Sequence, residues 1–161
     1  MKERFRSISA IWMEKEKKTI KECAKSVYDF LILLKAHNSD LFALWYEKGY
    51  SKKEALRKKL DINEDYFFKD LEKNKNKKHH DLGTTVSYWT GNENEGLSAA
   101  ISFTIGGYGD KSFNKNSCVI NLPSEGKYYE LPENQESLKN LVVEYWKPDS
   151  ILVNGEPVLL K

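Results

Sequence analysis

Two adjacent histidines followed by an aspartate, His79, His80 and Asp81, are the residues that most resemble metal ligands. Neighbouring side chains point apart on a helix or strand, and no third ligand recurs at a metal-binding spacing. The lysines of residues 73–78 have the charge to grip phosphate. Because no aromatic residue interleaves with them, a solvated charge run is the favoured interpretation. We therefore predict no metal site here.

A glycine-rich segment and two cysteines are the next candidates for chemistry. Residues 106–110 read GGYGD, which lacks the lysine and hydroxyl that end a phosphate-binding P-loop, so a turn is favoured. Cys23 and Cys118 have no closely spaced partner. We predict that both are reduced and buried, with a long-range disulfide or a catalytic thiol as the alternatives.

Paired carboxylates are the remaining candidates for acid–base catalysis. Glu93 with Glu95, and Glu130 with Glu133, fall in predicted loops rather than in a desolvating pocket. No serine or cysteine has the motif context of a nucleophile. The sequence therefore predicts a protein that is not an enzyme and that needs no cofactor.

The composition is typical of a globular protein rather than of a disordered or membrane-spanning chain. Of 161 residues, 40% are hydrophobic, 31% are charged and 12% are aromatic. We predict a single domain spanning residues 1–161. The apolar run at residues 8–13 is too short for a secretory leader, and no stretch is long enough to cross a membrane. We expect a cytoplasmic protein.

The formal net charge of +2 conceals an uneven distribution of charge along the chain. Residues 1–80 carry 20 Lys or Arg and 13 Asp or Glu, whereas residues 81–161 carry 6 and 11, so the halves carry +7 and −5. A basic half and an acidic half favour different partners.

The first third of the chain predicts a strand followed by a long helix. Ile8, Ala10 and Trp12 alternate with small polar residues, which is typical of a strand. Apolar residues then recur at steps of three and four across Glu16–Ala36, which predicts an amphipathic helix. Residues 41–46 are apolar but too few to distinguish a helix from a strand.

Two helix starts follow. Ser51 and Glu54 have the spacing of a capping box and predict a short helix to about Leu60. Asn63 precedes acidic residues and predicts a second N-cap. Residues 72–80 lack an apolar anchor and predict an exposed loop or frayed helix end.

The second half of the chain predicts strands, one further helix and a hairpin. Strands are predicted at residues 84–90, 97–105 and 118–122, with a terminal hairpin at residues 151–160. Pro123 ends the third of these strands, and Pro148 ends a helix near Trp146. We therefore predict an α+β fold with a mainly antiparallel sheet and helices packed on one face.

Five short motifs follow one another along the chain in a characteristic order. They are Trp45-Tyr46-Glu47-Lys48-Gly49, Trp89-Thr90-Gly91, Ile105-Gly106-Gly107-Tyr108, the segment from Asn116 to Pro123, and Trp146-Lys147-Pro148-Asp149. In order and spacing they resemble the immunity protein 52 family of bacterial polymorphic toxin systems. The chain departs from the family pattern at Thr90, where asparagine is expected.

The resemblance implies a cytoplasmic antidote that binds a cognate secreted toxin of restriction-endonuclease-like type and blocks its activity. It implies a protein toxin as partner, and we expect neither membrane association nor direct nucleic-acid binding. Motif residues with bulky rings or special backbone geometry are expected to support the scaffold. These are Trp45, Tyr46, Gly49, Trp89, Gly91, Gly106, Asn116, Pro123, Trp146, Pro148 and Asp149.

The acidic half suggests where a toxin would bind. A nuclease presents a basic groove to its substrate, so an inhibitor is expected to offer carboxylates with tyrosine anchors. Residues of this kind in predicted loops are Glu93, Glu95, Tyr108, Asp110, Glu125, Tyr128, Tyr129 and Glu130. The simpler interpretation is that these carboxylates only solvate the surface.

Two other functions remain open from the sequence. A nucleic-acid-binding module would use the predicted helix at Lys52–Lys59 and the Lys73–Lys78 tract, and its binding would weaken steeply with salt. A hydrolase would require a histidine or carboxylate of strongly shifted pKa in a deep pocket.

Overall fold

A computed structural model describes residues 4–47, 52–56, 58–109, 111 and 114–160. The described strands are β1 (Ser7–Trp12), β2 (Tyr46–Glu47), β3 (Thr84–Trp89), β4 (Ala100–Ile105), β5 (Asn116–Asn121), β6 (Ser150–Val153) and β7 (Glu156–Val158). The described α-helices are α1 (Ile20–His37), α2 (Ser39–Phe42), α3 (Lys52–Ala55), α4 (Glu64–Asn74) and α5 (Pro132–Trp146). Single-turn 3-10 helices span His80–Leu82, Glu95–Leu97 and Tyr128–Glu130.

The strands form one sheet of seven, in the order β2-β3-β4-β5-β1-β6-β7. Each of its strand pairs is antiparallel. The first strand of the chain lies inside the sheet, where Ala10 is opposite Cys118 of β5 and Ile151 of β6. The antiparallel α+β fold predicted from the sequence is confirmed. Its extent as one domain over residues 1–161 stays a prediction.

One face of the sheet carries the core. Ile8, Ala10 and Trp12 of β1 alternate into it, as do Ile101 and Phe103 of β4. The helices cover this face, and α1 contributes a buried stripe consisting of Cys23, Ala24, Val27, Phe30, Leu31 and Leu34. Burial of this area is the main stabilising contribution to the fold.

The other face of the sheet is polar and partly exposed. Hydroxyl groups pair across its strands, with 3.0 Å between Thr85 Oγ1 and Thr104 Oγ1 and 2.9 Å between Ser87 Oγ and Ser102 Oγ. This separation into a covered and an open face confirms the prediction that helices pack on one side.

The structure starts α1 later than the sequence analysis predicts. Thr19 is the N-cap: its Oγ1 accepts a 3.0 Å bond from Glu22 N, and Glu22 Oε1 accepts one of 3.0 Å from Thr19 N. This capping box satisfies two helix-start donors, so Ile20 rather than Glu16 begins the helix. The Thr-x-x-Glu spacing was the signal that the sequence analysis missed.

Two strand predictions are also corrected. β4 begins at Ala100 rather than Leu97, because Asn94 accepts a 3.0 Å bond from Gly96 N and caps a 3-10 turn instead. Leu97 is consequently 39% exposed. Leu122 is buried but lies outside β5.

The segment between α1 and α4 is more divided than predicted. The apolar run at residues 41–46 is neither one helix nor one strand: its first two residues are the end of α2, and its last residue is the start of β2. The predicted helix to Leu60 is limited to Lys52–Ala55, since Lys59 bridges Tyr46 in the sheet. Ser51, the predicted cap, lies outside the described residues, as does Gly49.

The remaining predicted elements are present. Asn63 Oδ1 accepts a 2.8 Å bond from Tyr66 N at the start of α4. The terminal hairpin turns at Asn154 and Gly155, whose φ angles of 53° and 79° suit a tight turn.

Candidate functional site

Two loops meet at one end of the sheet. Because β3, β4 and β5 are antiparallel neighbours, the β3–β4 loop and the chain leaving β5 emerge at the same end. Glu125 N donates a 2.8 Å bond to the Gly96 carbonyl, and Asn94 Nδ2 donates one of 2.8 Å to Glu125 Oε2. A Cβ added at Gly96 would lie 2.7 Å from the carboxyl carbon of Glu125, which is a steric clash. The loops are therefore held together closely.

Four of the predicted carboxylates lie at this end. Glu93, Glu95, Glu125 and Glu130 are all exposed. We call the surface formed by these four glutamates the acidic end. Arg4 partly compensates it, since Arg4 Nη1 lies 3.4 Å from Glu130 Oε1. Negative potential at one end of a molecule attracts basic partners and repels acidic ones.

A cleft of about 220 Å³ opens beside these carboxylates. Leu41, Leu97 and Pro123 supply apolar surface. The charged lining residues are two acids and two bases, namely Asp40, Glu125, Arg4 and Lys127. Its size suits an inserted side chain rather than a large ligand.

Two of the three predicted tyrosine anchors, Tyr128 and Tyr129, lie at this end and have different environments. Tyr128 is 39% exposed, and its hydroxyl donates a 3.1 Å bond to the His37 carbonyl. Tyr129 is buried: its hydroxyl lies 2.9 Å from His37 Nε2 and its ring stacks on that histidine. Tyr128 can therefore contact a partner, whereas the buried ring of Tyr129 packs against that of Tyr128.

His37 forms a small polar cluster that the sequence analysis did not anticipate. Its Nδ1 lies 3.3 Å from Ser137 Oγ, and its Nε2 faces Tyr129. Burial lowers the pKa of His37 below its ordinary value of 6.5 and raises that of Tyr129. The one indication in the sequence was that His37 lies far from the polar tract that contains the other two histidines.

Tyr108 does not join this surface. It follows β4 at the opposite end of the sheet, where its N–H donates a 3.0 Å bond to the Asp81 carbonyl. Successive connections of an antiparallel meander alternate between ends, so the β4–β5 loop cannot meet the β3–β4 loop. Asp110 lies outside the described residues. The eight predicted residues are thus not all on one surface.

Two of the aromatic motifs pack against each other at the sheet edge. Tyr46 pairs with Trp89 in the β2–β3 ladder, and their ring centroids are 6.4 Å apart. Gly91 has φ of +71°, and a Cβ there would lie 2.2 Å from Tyr46 Cδ1. Trp45 is buried and stacks on Phe42. Because Gly91 has no side chain, the ring of Tyr46 fits beside it.

Gly106 and Asn116 belong to a turn at the opposite end of the sheet from the glutamates. Asn116 is fully buried: its Oδ1 accepts a 2.8 Å bond from Gly107 N, and its Nδ2 donates one of 3.0 Å to the Gly107 carbonyl. Gly106 adopts φ of +87° beside it. The side-chain amide of Asn116 thus supplies the hydrogen bonds that a neighbouring strand would otherwise give to the backbone of Gly107.

The motif that ends α5 ties the helix to β1. Trp146 stacks on Trp12 with ring centroids 4.7 Å apart. Lys147 turns the chain in the left-handed region, and buried Pro148 follows. Asp149 Oδ2 then accepts a 2.8 Å bond from Met13 N. Pro123, at the other end, accepts a bond from the Arg4 guanidinium through its carbonyl.

The residues considered for catalysis are dispersed. His79 and His80 are exposed, and among the described residues no three His, Cys, Asp or Glu side chains form a group able to hold a metal. Cys23 and Cys118 are buried and unpaired. Burial raises the pKa of Cys23 to about 11, which opposes thiolate formation.

Comparison with known proteins agrees with the motif pattern. No helix in the described part of the chain has both the length and the apolar composition of a membrane span. No curated protein matches the chain. The profile of one family, immunity protein 52, matches residues 7–153, which include β1, β6 and every motif between them. The chain therefore belongs to the immunity protein 52 family.

Proposed function

We propose that this protein neutralises a cognate secreted toxin, a nuclease of restriction-endonuclease type, in the cytoplasm of the bacterium that makes it. The acidic end would cover the active site or the DNA-binding surface of the toxin. The observation that carries the proposal is the contact between two loops, through Glu125, Asn94 and Gly96, which gathers four glutamates on one surface. No cofactor takes part.

Charge complementarity supports this class of toxin. A nuclease attracts a polyanion and therefore presents cations around its active site. Carboxylates fixed at one end of the sheet would raise the rate of association with such a basic surface and would disfavour acidic partners. The bond from Asn94 to Glu125 restrains one of these carboxylates before binding, which reduces the entropy lost on association.

The cleft supports a contact of defined geometry. Exposed Tyr128 and Leu97 border it, and a tyrosine ring loses little conformational entropy when it is buried in an interface. We expect a basic side chain of the toxin to approach Glu125 at the cleft mouth while Tyr128 packs against its aliphatic part.

The experiment is capture of the toxin encoded beside this protein, followed by kinetics of the purified pair. Glu93→Lys with Glu95→Lys should slow association at least tenfold at low salt and flatten its salt dependence. Glu16→Lys with Glu144→Lys makes the same change in net charge elsewhere on exposed surface and serves as the control.

Two outcomes would reject the proposal. Failure of the neighbouring toxin to be captured or silenced on co-expression would remove the neutralising function. Equal slowing by the acidic-end pair and the control pair would show that only net charge matters, and would reject the acidic end as the binding surface.

A further inference from the structure

Two basic segments that are distant in sequence line two adjoining clefts. Lys17 and Lys18, which precede α1, lie with Lys75 and His80 around a cleft of about 270 Å³. Lys75 and His80 also line a wider cleft that runs along α4. Because the two clefts share these residues, they are neighbours on the surface, and we call the pair the lysine groove.

The lysine groove carries an excess of positive charge, although Lys18 also lies near the carboxylates of Glu14 and Glu22. Its walls hold six lysines and one glutamate, namely Lys17, Lys18, Lys69, Lys73, Lys75, Lys77 and Glu72. Glu72 is engaged by Lys75 at 2.5 Å, and Lys69 pairs with Asp65 at 2.9 Å. The other four lysines form no ion pair within the described part of the chain.

An exposed aromatic ring lies among these lysines. Phe68 is 39% exposed and lines the wider cleft together with Lys73 and Lys77. The sequence shows no aromatic residue within the lysine tract itself. The helix α4 places Phe68 beside Lys69 and Lys73. The chain after the helix then forms a β-bridge between Lys75 and Thr84, which brings Lys75 and Lys77 to the same cleft.

The narrower cleft adds apolar surface to the lysine groove. Ile20, Ile105 and Gly106 line it together with Lys17 and Lys18. Such a lining accommodates a flat, weakly polar group while the lysines neutralise an anion beside it. The faces of nucleobases and the phosphates that link them have this combination of properties.

We propose that the lysine groove binds single-stranded nucleic acid, with one base stacked on Phe68 and phosphates neutralised by Lys17, Lys18, Lys73 and Lys77. A single strand is favoured over a duplex because only unpaired bases expose their faces for stacking. The groove lies at the end of the sheet opposite the acidic end, so this binding does not depend on capture of a toxin.

The test is fluorescence anisotropy with a labelled twelve-residue oligothymidylate and the full chain. Four neutralised phosphates predict a roughly 50-fold loss of affinity between 50 and 200 mM salt. Phe68→Ala should weaken binding about 5- to 150-fold, and Phe68→Trp should retain it. Phe68→Leu keeps most of the apolar volume and should behave like Phe68→Ala if stacking is the cause.

Matched lysine pairs locate the site. Lys73→Ala with Lys77→Ala should weaken binding and make its salt dependence shallower. Lys35→Ala with Lys127→Ala removes the same charge from exposed positions outside the groove and should do neither. Thermal melting of each variant checks that the fold is retained.

Several results would overturn the inference. They are absence of binding at 50 mM salt, equal losses in the two lysine pairs, and wild-type affinity in both Phe68→Ala and Phe68→Leu. Duplex DNA or polyglutamate binding as tightly as the oligothymidylate would assign the groove to a different class of polyanion.

Discussion

At the scale of single residues, the family motifs of this protein shape the backbone and the packing around it. Gly91 leaves space for Tyr46, and Asn116 binds both the N–H and the carbonyl of Gly107. Asp149 accepts the backbone N–H of Met13. The side chains of Asn116 and Asp149 thus bind backbone groups that ordinary strand pairing leaves unsatisfied. We therefore propose that other residues contact the toxin.

Gly91→Ala should destabilise the protein by about 2–4 kcal/mol, because it adds left-handed backbone strain to a steric clash with Tyr46. Gly155→Ala is the control: its φ is +79° and no atom lies within 4 Å of the added Cβ, so only backbone strain applies. Urea unfolding of both variants measures the difference. Equal costs would show that the contact with Tyr46 is unimportant.

The stability of the protein should fall as the pH drops below about 6.5. Burial lowers the pKa of His37 in the folded state, so the unfolded chain binds a proton more readily. The stability contributed by the neutral ring is complete above the unfolded pKa and is lost as the pH falls towards the folded pKa. His37→Gln should flatten urea-midpoint profiles between pH 7.5 and 5.5, whereas His79→Gln at an exposed position should not.

At the scale of elements, caps and aromatic stacks determine where helices begin and how they attach to the sheet. Thr19 and Glu22 form the reciprocal cap of α1. Trp146 joins α5 to three other elements through Trp12, Phe30 and Phe103. The cap and the Trp146 ring contacts both lie at a helix end. Regular hydrogen bonding determines the backbone and the orientation of a helix least at its ends.

Thr19→Ala should cost about 1 kcal/mol of the free energy of unfolding, because the N–H of Glu22 loses its acceptor. Glu22→Ala removes the return bond, and the double variant should cost less than the sum of the two single variants. Full additivity in chemical unfolding would show that the two bonds act independently.

Trp146→Ala should cost about 3–5 kcal/mol, since it removes ring contacts between α5, α1, β1 and β4. Both rings are half-buried, but Trp89→Ala should cost less, because the one described ring partner of Trp89 is Tyr46 and Trp146 packs against the core. Calorimetric melting compares the two variants. A larger loss for Trp89→Ala would contradict this ranking of the two contacts.

At the scale of the whole molecule, the sheet separates two charged surfaces. The acidic end lies beyond Trp89 and Asn121, and the lysine groove lies beside Thr84 at the other end of the strands. The basic and acidic halves of the sequence thus contribute surfaces of opposite sign to opposite ends. A toxin and a polyanion would each find a complementary surface without competing for one site.

Tyr128→Ala should speed dissociation of the toxin by about tenfold or more, because it removes an exposed anchor at the cleft. Tyr108→Ala changes the same residue type at the opposite end and should leave dissociation unchanged. Surface plasmon resonance with immobilised toxin measures both rates. The reverse ranking would move the toxin-binding surface to the β4–β5 loop.

The sequence by itself determined the architecture where local patterns are strong. Alternation in β1 and β4, the helical period of α1, the Asn63 cap and the Asn154-Gly155 turn each depend on near neighbours, so they were readable without tertiary contacts. The ordered aromatic motifs likewise sufficed to predict the family, although not the reason for each residue.

Only the tertiary structure decided which distant residues share a surface. Strand order placed Glu95 near Glu125 and sent Tyr108 to the opposite end. The chain after α4 brought Lys75 and Lys77 to the cleft that Phe68 lines. It also buried Tyr129 and left Tyr128 exposed, although the two are adjacent in sequence. The physical reason is that pairing between strands joins residues of any separation along the chain, whereas sequence periodicity reports only the residues within a few turns.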